Sequence, residues 1–114
     1  MDCLFCKIAN HKIPAKIVYE DEELIAFDDI APKAPVHILV IPKKHIDSVT
    51  DLKEEDAPLA GRLLIKAAEI AKNKGIVDSG FRIIFNTGKH SGQEVDHIHL
   101  HLLGGKPLGS MVCE

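Results

Sequence analysis

Three histidines at strict two-residue spacing, His97, His99 and His101, carry the strongest chemical signal in the chain, with Ile98, Leu100 and Leu102 between and after them. Such alternation is the pattern of a β-strand, in which successive side chains point to opposite faces. The imidazoles then share one face and the aliphatic residues the other. A strand rises about 3.3 Å per residue, so neighbouring histidines stand roughly 6–7 Å apart, and two of them can grip one phosphate-sized group. With a pKa of about 6.5, one imidazole can act as a neutral nucleophile while another is charged or donates hydrogen bonds. Attack on phosphorus can pass through a covalent phosphohistidine, which divides one difficult displacement into two easier ones. The competing use of the same residues is metal ligation.

The segment before these histidines reads Asn86-Thr87-Gly88-Lys89-His90-Ser91-Gly92-Gln93-Glu94. Gly88 and Gly92 permit tight turns that bring backbone N–H groups towards a ligand, so the loop could cradle an anion. It matches neither the P-loop nor the dinucleotide-binding glycine pattern. Near the N-terminus, Cys3-Leu4-Phe5-Cys6 has zinc-ligand spacing and supplies two of the four ligands of a closed site. The redox alternative expects a C-x-x-C beside a βαβ pattern, which is absent. Cys113 reads as a free thiol, and His11 and His90 as surface residues.

These groups need a scaffold. Ile17-Val18-Tyr19 and Leu24-Ile25-Ala26-Phe27 are β-prone runs separated by the polar Glu20-Asp21-Glu22-Glu23, which predicts a hairpin. Residues 28–35 read as a loop, because Pro32 and Pro35 push the residues before them out of helical space. His37 to Ile41 reads as a buried strand ended by Pro42. From Asp56 to Lys74 the apolar positions Leu59, Leu63, Ala67, Ile70 and Ala71 recur with helical period, with Asp56 as the cap and Gly75 as the stop. Further strands are expected at 81–85 and 95–103. About five strands and one long helix, joined by hairpin-like connections, favour an α+β fold with a largely antiparallel sheet.

At 114 residues the chain fits one domain, 1–114. Fourteen basic and 17 acidic residues leave a net charge of −3, which argues against a protein that coats a nucleic-acid polymer. The first residues lack a basic region followed by an apolar stretch, and no run approaches the roughly 18 apolar residues of a membrane span. The expected setting is cytoplasmic, with reduced cysteines and no membrane partner.

Taken together, the chain resembles the histidine triad superfamily, and most closely its nucleoside phosphoramidase branch. His97-Ile98-His99-Leu100-His101-Leu102-Leu103 meets the signature of His-x-His-x-His followed by two apolar residues. The likeness extends through Lys7-Ile8 to Ile13-Pro14-Ala15, Ala26 to Pro32, His37 to His45, Gly92-Gln93-Glu94-Val95 and Leu103 to Leu108. It implies a five-stranded antiparallel sheet with two helices, pairing into one continuous sheet in a homodimer. It also implies hydrolysis of a purine nucleoside monophosphate conjugated to an amine or acyl group. His99 would be the nucleophile, His101 its phosphate partner, His37 an additional histidine that holds the rings, and His97 an orienting residue. Asn86, Gly92, Gln93, Glu94 and Val95 would border the phosphate, with Asp29 on the ribose hydroxyls and Ile8, Phe27 and Ile30 around the base. Some relatives complete a structural zinc site of the Cys3, Cys6, His45, His97 type; catalysis needs no cofactor. Some members carry Ser in place of Glu94, and some end in a Trp that this tail lacks. Two alternatives stay open: a nucleotide- or zinc-binding scaffold dimer, and a dinucleoside polyphosphate hydrolase.

Overall fold

The computed structural model describes residues 3–111; Cys113 lies outside them. A short helix α1 (Leu4–Ala9) precedes the hairpin β1 (Ile17–Glu20) and β2 (Leu24–Asp28). Strand β3 (Val36–Pro42), helix α2 (Ala57–Asn73), strand β4 (Phe81–Phe85) and strand β5 (Leu100–Gly104) follow. The sheet is antiparallel throughout, in the order β1-β2-β3-β5-β4. The fold is therefore the expected α+β arrangement. Among the described residues, no helix is long and apolar enough to cross a membrane.

The central strands explain their own uninterrupted apolar runs. Leu24 and Ala26 of β2 and Ile38 and Val40 of β3 pack with Leu100 and Leu102 against Leu63, Ala67, Ile70 and Ala71 of α2. The alternate residues, Ile25, Phe27, Leu39 and Ile41, face the other way and pack under Phe5, Ile8 and Ala9 of α1. Both faces at the sheet centre are thus dry. Arg62, on the outer side of α2, anchors the hairpin by pairing with Asp21 and Glu23 at 2.6 and 2.7 Å.

Three expectations shift. Helix α1 escapes the periodic reading because six residues are too few to show a 3.6-residue repeat; Cys3 caps it, its Sγ accepting the N–H of Cys6 at 3.3 Å. Asp56 stands at the N-cap position of α2 but makes no side-chain cap hydrogen bond; its carboxylate takes the Lys53 N–H at 3.0 Å and pairs with Lys44 at 2.7 Å instead. Most important, β5 begins at Leu100, not Val95. Carried two residues beyond Val40↔Leu100, the β3–β5 register would set Pro42 opposite Ile98. Pro42 has no N–H for the ladder, and Ile98 donates instead to the Ile46 carbonyl at 2.6 Å. His97 and His99 therefore stand on irregular backbone just before the strand.

Candidate active site

The triad still lies on one side of the sheet, the side covered by α1. The rings of His99 and His101 lie 4.9 Å apart between centroids, and Phe5 of α1 meets His99 edge-on at 5.0 Å. Each ring has one nitrogen committed to a partner of fixed polarity, and this decides what the other nitrogen can do.

His99 Nδ1 lies 2.8 Å from the carbonyl oxygen of His97. A carbonyl only accepts, so Nδ1 carries the proton and Nε2 keeps its lone pair, as a nucleophile requires. His37 Nδ1 accepts the backbone N–H of Lys33 at 3.0 Å, so its proton sits on Nε2. That N–H donates to His101 Nδ1 at 3.0 Å, with Asp29 Oδ2 3.4 Å away. His101 Nδ1 is then an acceptor, and its proton lies on Nε2. Among the described residues, His101 Nε2 is the only buried side-chain nitrogen or oxygen without a hydrogen-bond partner. A buried donor left unpaired costs free energy unless a ligand meets it. Burial, with the His99 and His37 rings beside it, pushes His101 down to about 4; burial lowers His37 as well. Both rings are neutral near pH 7, and His101 offers an N–H rather than a charge.

His97 goes elsewhere. Its Nε2–H donates to the Pro42 carbonyl at 2.7 Å, and its Nδ1 lone pair faces Cys3 Sγ at 3.3 Å and Cys6 Sγ at 3.6 Å. His45 repeats the arrangement: Nε2–H donates to Asp47 at 2.6 Å, and Nδ1 faces Cys6 Sγ at 3.3 Å. The four ligand atoms lie within 4.8 Å of one another. Tetrahedral zinc with the usual bond lengths sets S and N about 3.6 Å apart. Burial and the neighbouring Cys3 sulfur push the Cys6 thiol up to about 11, the mark of two sulfurs set side by side. The residues fit zinc, down to the outer hydrogen bonds that fix each ring. Asp29, His37 and His101 also bring three donors together, but there the Lys33 N–H keeps the proton of His37 on the nitrogen a metal would need. That group is a hydrogen-bonded relay.

The expected substrate contacts are placed unevenly. Asp29 is held by the Ala31 N–H at 2.8 Å on Oδ1. Phe27 and Ile8 are 3% and 7% exposed and form floor rather than free wall, whereas Ile30 stands fully exposed. An open cleft of about 390 Å³ runs from Ile8 along Lys12, Ile13, Pro14, Ala15 and Ile17. Gly92 takes a left-handed conformation after a short 3₁₀ turn at Lys89–Ser91. The Gln93 side chain is tied to backbone groups, Glu94 is exposed, and Asn86 and Val95 are half-buried. His11 is exposed but paired with Glu20 at 2.7 Å; His90 is exposed. The sequence reading missed Phe5, for which spacing gives no signal, and Asp47, which the His-x-Asp spacing from His45 could have shown.

The family model described as scavenger mRNA decapping enzyme C-term binding matches residues 2–111. Purine nucleoside phosphoramidase of Escherichia coli K12 is 50% identical over 112 residues, covering 98% of this chain and 94% of that protein. The chain belongs to the histidine triad superfamily. Protein HitA of Neisseria gonorrhoeae is 52% identical over 103 residues, covering 90% of this chain and 95% of that one. Among solved structures, a histidine triad protein from Clostridium difficile superposes with a TM-score of 0.94 at 48% identity, covering 98% of this chain and 97% of that one. A HIT family hydrolase from Legionella pneumophila Philadelphia 1 gives 0.91 at 49% identity, covering 95% and 100%. In this histidine triad protein the first histidine of the motif lends its ring to the cysteine pair and only its carbonyl to the second.

Proposed function

We propose that the protein is a purine nucleoside phosphoramidase, a hydrolase that releases a nucleoside 5′-monophosphate from an amine or acyl conjugate. The observation that carries this reading is the lone pair of His99 Nε2 beside the unpartnered N–H of His101. His99 attacks the α-phosphorus, forming a P–N bond to Nε2 as the bond to the leaving group breaks. The His97 carbonyl holds the proton on Nδ1 and stabilises the positive charge that develops on the ring. His101 donates to the phosphoryl group and assists proton transfer to the departing group, and His37 holds its ring. Water then attacks the nucleotidyl-histidine, regenerating His99 and releasing the monophosphate, for a net addition of one water across the scissile bond. Asn86 and the Gly92–Val95 backbone border the phosphate, and Asp29 accepts from the ribose hydroxyls. The base takes the end of the sheet over Ile8 and Phe27, with Ile30 closing over it.

The Cys3, Cys6, His45 and His97 set would hold a structural zinc that pins α1 to the sheet. The cytoplasm, which keeps thiols reduced, suits such a site. A homodimer would cover the unpaired edge of β4 and the exposed Leu64 and Ile65 of α2. The test is mass spectrometry of protein quenched with an adenosine phosphoramidate. A nucleotidyl adduct on His99 is expected, absent in His99→Ala along with turnover; normal turnover by that variant would sink the assignment.

A further inference from the structure

The zinc set and the loop at 86–94 are not independent. The Gln93 carboxamide accepts the Gly88 N–H at 2.8 Å and donates to the Asp47 carbonyl at 2.7 Å and the Val95 carbonyl at 3.1 Å. The Gln93 N–H also reaches the Gly88 carbonyl at 3.2 Å, closing the loop. Residues 88–92 are all exposed, so no buried apolar side chain of theirs anchors the loop. Inside the loop, Ser91 Oγ–H donates to the Gly88 carbonyl at 2.8 Å and the Gly92 N–H to the Lys89 carbonyl at 3.1 Å; the Gln93 side chain is what moors it to Asp47. Asp47, where Gln93 is moored, holds the Nε2–H of His45 with its carboxylate. One residue therefore grips a ring of the metal set with its side chain and the loop with its carbonyl.

We propose that Asp47 and Gln93 are positioning residues that tie the Cys3–Cys6–His45–His97 centre to the anion-binding loop. The loop then holds its shape, and the substrate its affinity, only while the centre is assembled. The proposal rests on the reading of the loop and the zinc site given above. The side chain of neither residue touches the reacting atoms; Gln93 borders the phosphate through its backbone alone, which Gln93→Ala keeps. Their loss loosens the loop without altering the nucleophile, so it weakens ground-state and transition-state binding alike: KM rises and kcat holds.

The test uses the zinc-loaded protein, an adenosine phosphoramidate, AMP and hydrogen exchange at the Gly88 amide. For Gln93→Ala, KM and the AMP dissociation constant should each rise about tenfold with kcat little changed, zinc should stay bound, and Gly88 should exchange faster. Asp47→Ala should weaken zinc binding about ten- to a hundredfold, whereas Asp47→Asn, which keeps an acceptor for the ring, should recover most of it. Withdrawing zinc from the wild type with a chelator should raise KM and Gly88 exchange to the Gln93→Ala level and add little to that variant. Unchanged Gly88 exchange and AMP affinity in Gln93→Ala would overturn the proposal, as would full additivity of zinc withdrawal and Gln93→Ala. Gly88 exchange and AMP affinity need no turnover, so the bridge can fail or stand independently of the phosphoramidase reading.

Discussion

Replacing His101 with Asn should make the protein less sensitive to acid. The side-chain oxygen of Asn can stand where Nδ1 accepts from His37, but it does not titrate. In the wild type, burial and the adjoining His99 and His37 rings hold His101 at about 4, against an unfolded value of about 6.5. A histidine depressed in the folded state contributes stability that is complete above the unfolded pKa and is lost as pH falls towards the folded one. At pH 5.0 the unfolded ring is almost fully protonated and the folded ring almost not. Going from pH 7.5 to 5.0 therefore spans about 1.5 units of titration at about 1.4 kcal/mol each, or about 2 kcal/mol from this residue alone. Urea unfolding of both proteins at these two pH values and one protomer concentration measures it. The other depressed rings, His37 and His97, are present in both proteins and largely cancel in the difference. Wild type should lose about 2 kcal/mol more than His101→Asn. Equal losses would mean that the buried N–H at His101 is not held neutral, and the donor role assigned to it would fall.

Two further outcomes follow from other parts of the molecule. Cys6→Ser should release zinc, measured by elemental analysis, and lower the melting temperature, because it removes a ligand from the closed site proposed between α1 and the sheet; a variant that kept one zinc per chain would show that the cysteine pair is not the site. Gly105→Ala should destabilise by about 1–3 kcal/mol in denaturant unfolding, since Gly105 has φ +94° and an added Cβ would come within 2.9 Å of Pro35; a change under about 0.5 kcal/mol would show that the turn relaxes without strain.

Much of the scaffold was legible because β2, β3 and α2 each bury enough residues to show their period. The C-x-x-C and the alternating histidines were legible for the same reason: spacing alone carries them. The division of labour among the histidines was not. His97, His99 and His101 are the same residue in the same pattern, and what separates them is the partner of one nitrogen in each: Pro42 O, His97 O and His37 Nε2. Two of those partners are backbone or side-chain atoms more than fifty residues away in the chain. The contact of the Gln93 carboxamide with the Asp47 carbonyl was likewise invisible, because 46 residues separate the two in the chain.

The irregularity at the head of β5 is what makes this division possible. Carried further, the β4–β5 register would place Gly88 opposite His97. In a continuous ladder the His97 carbonyl would be committed to a neighbouring strand, because main-chain acceptors inside a sheet are used by the sheet. Instead β4 ends at Phe85, and its pairing with β5 stops at Leu100. The His97 carbonyl is thereby free to take the Nδ1 proton of the imidazole two residues on. Pro42 contributes through its carbonyl, which turns the His97 ring so that Nδ1 meets the sulfurs. The end of β4 and the Pro42 carbonyl thus turn one histidine ring towards the cysteines and leave the next with its Nε2 lone pair free. A fully regular strand carrying the same three residues would commit the carbonyl that sets the tautomer of His99.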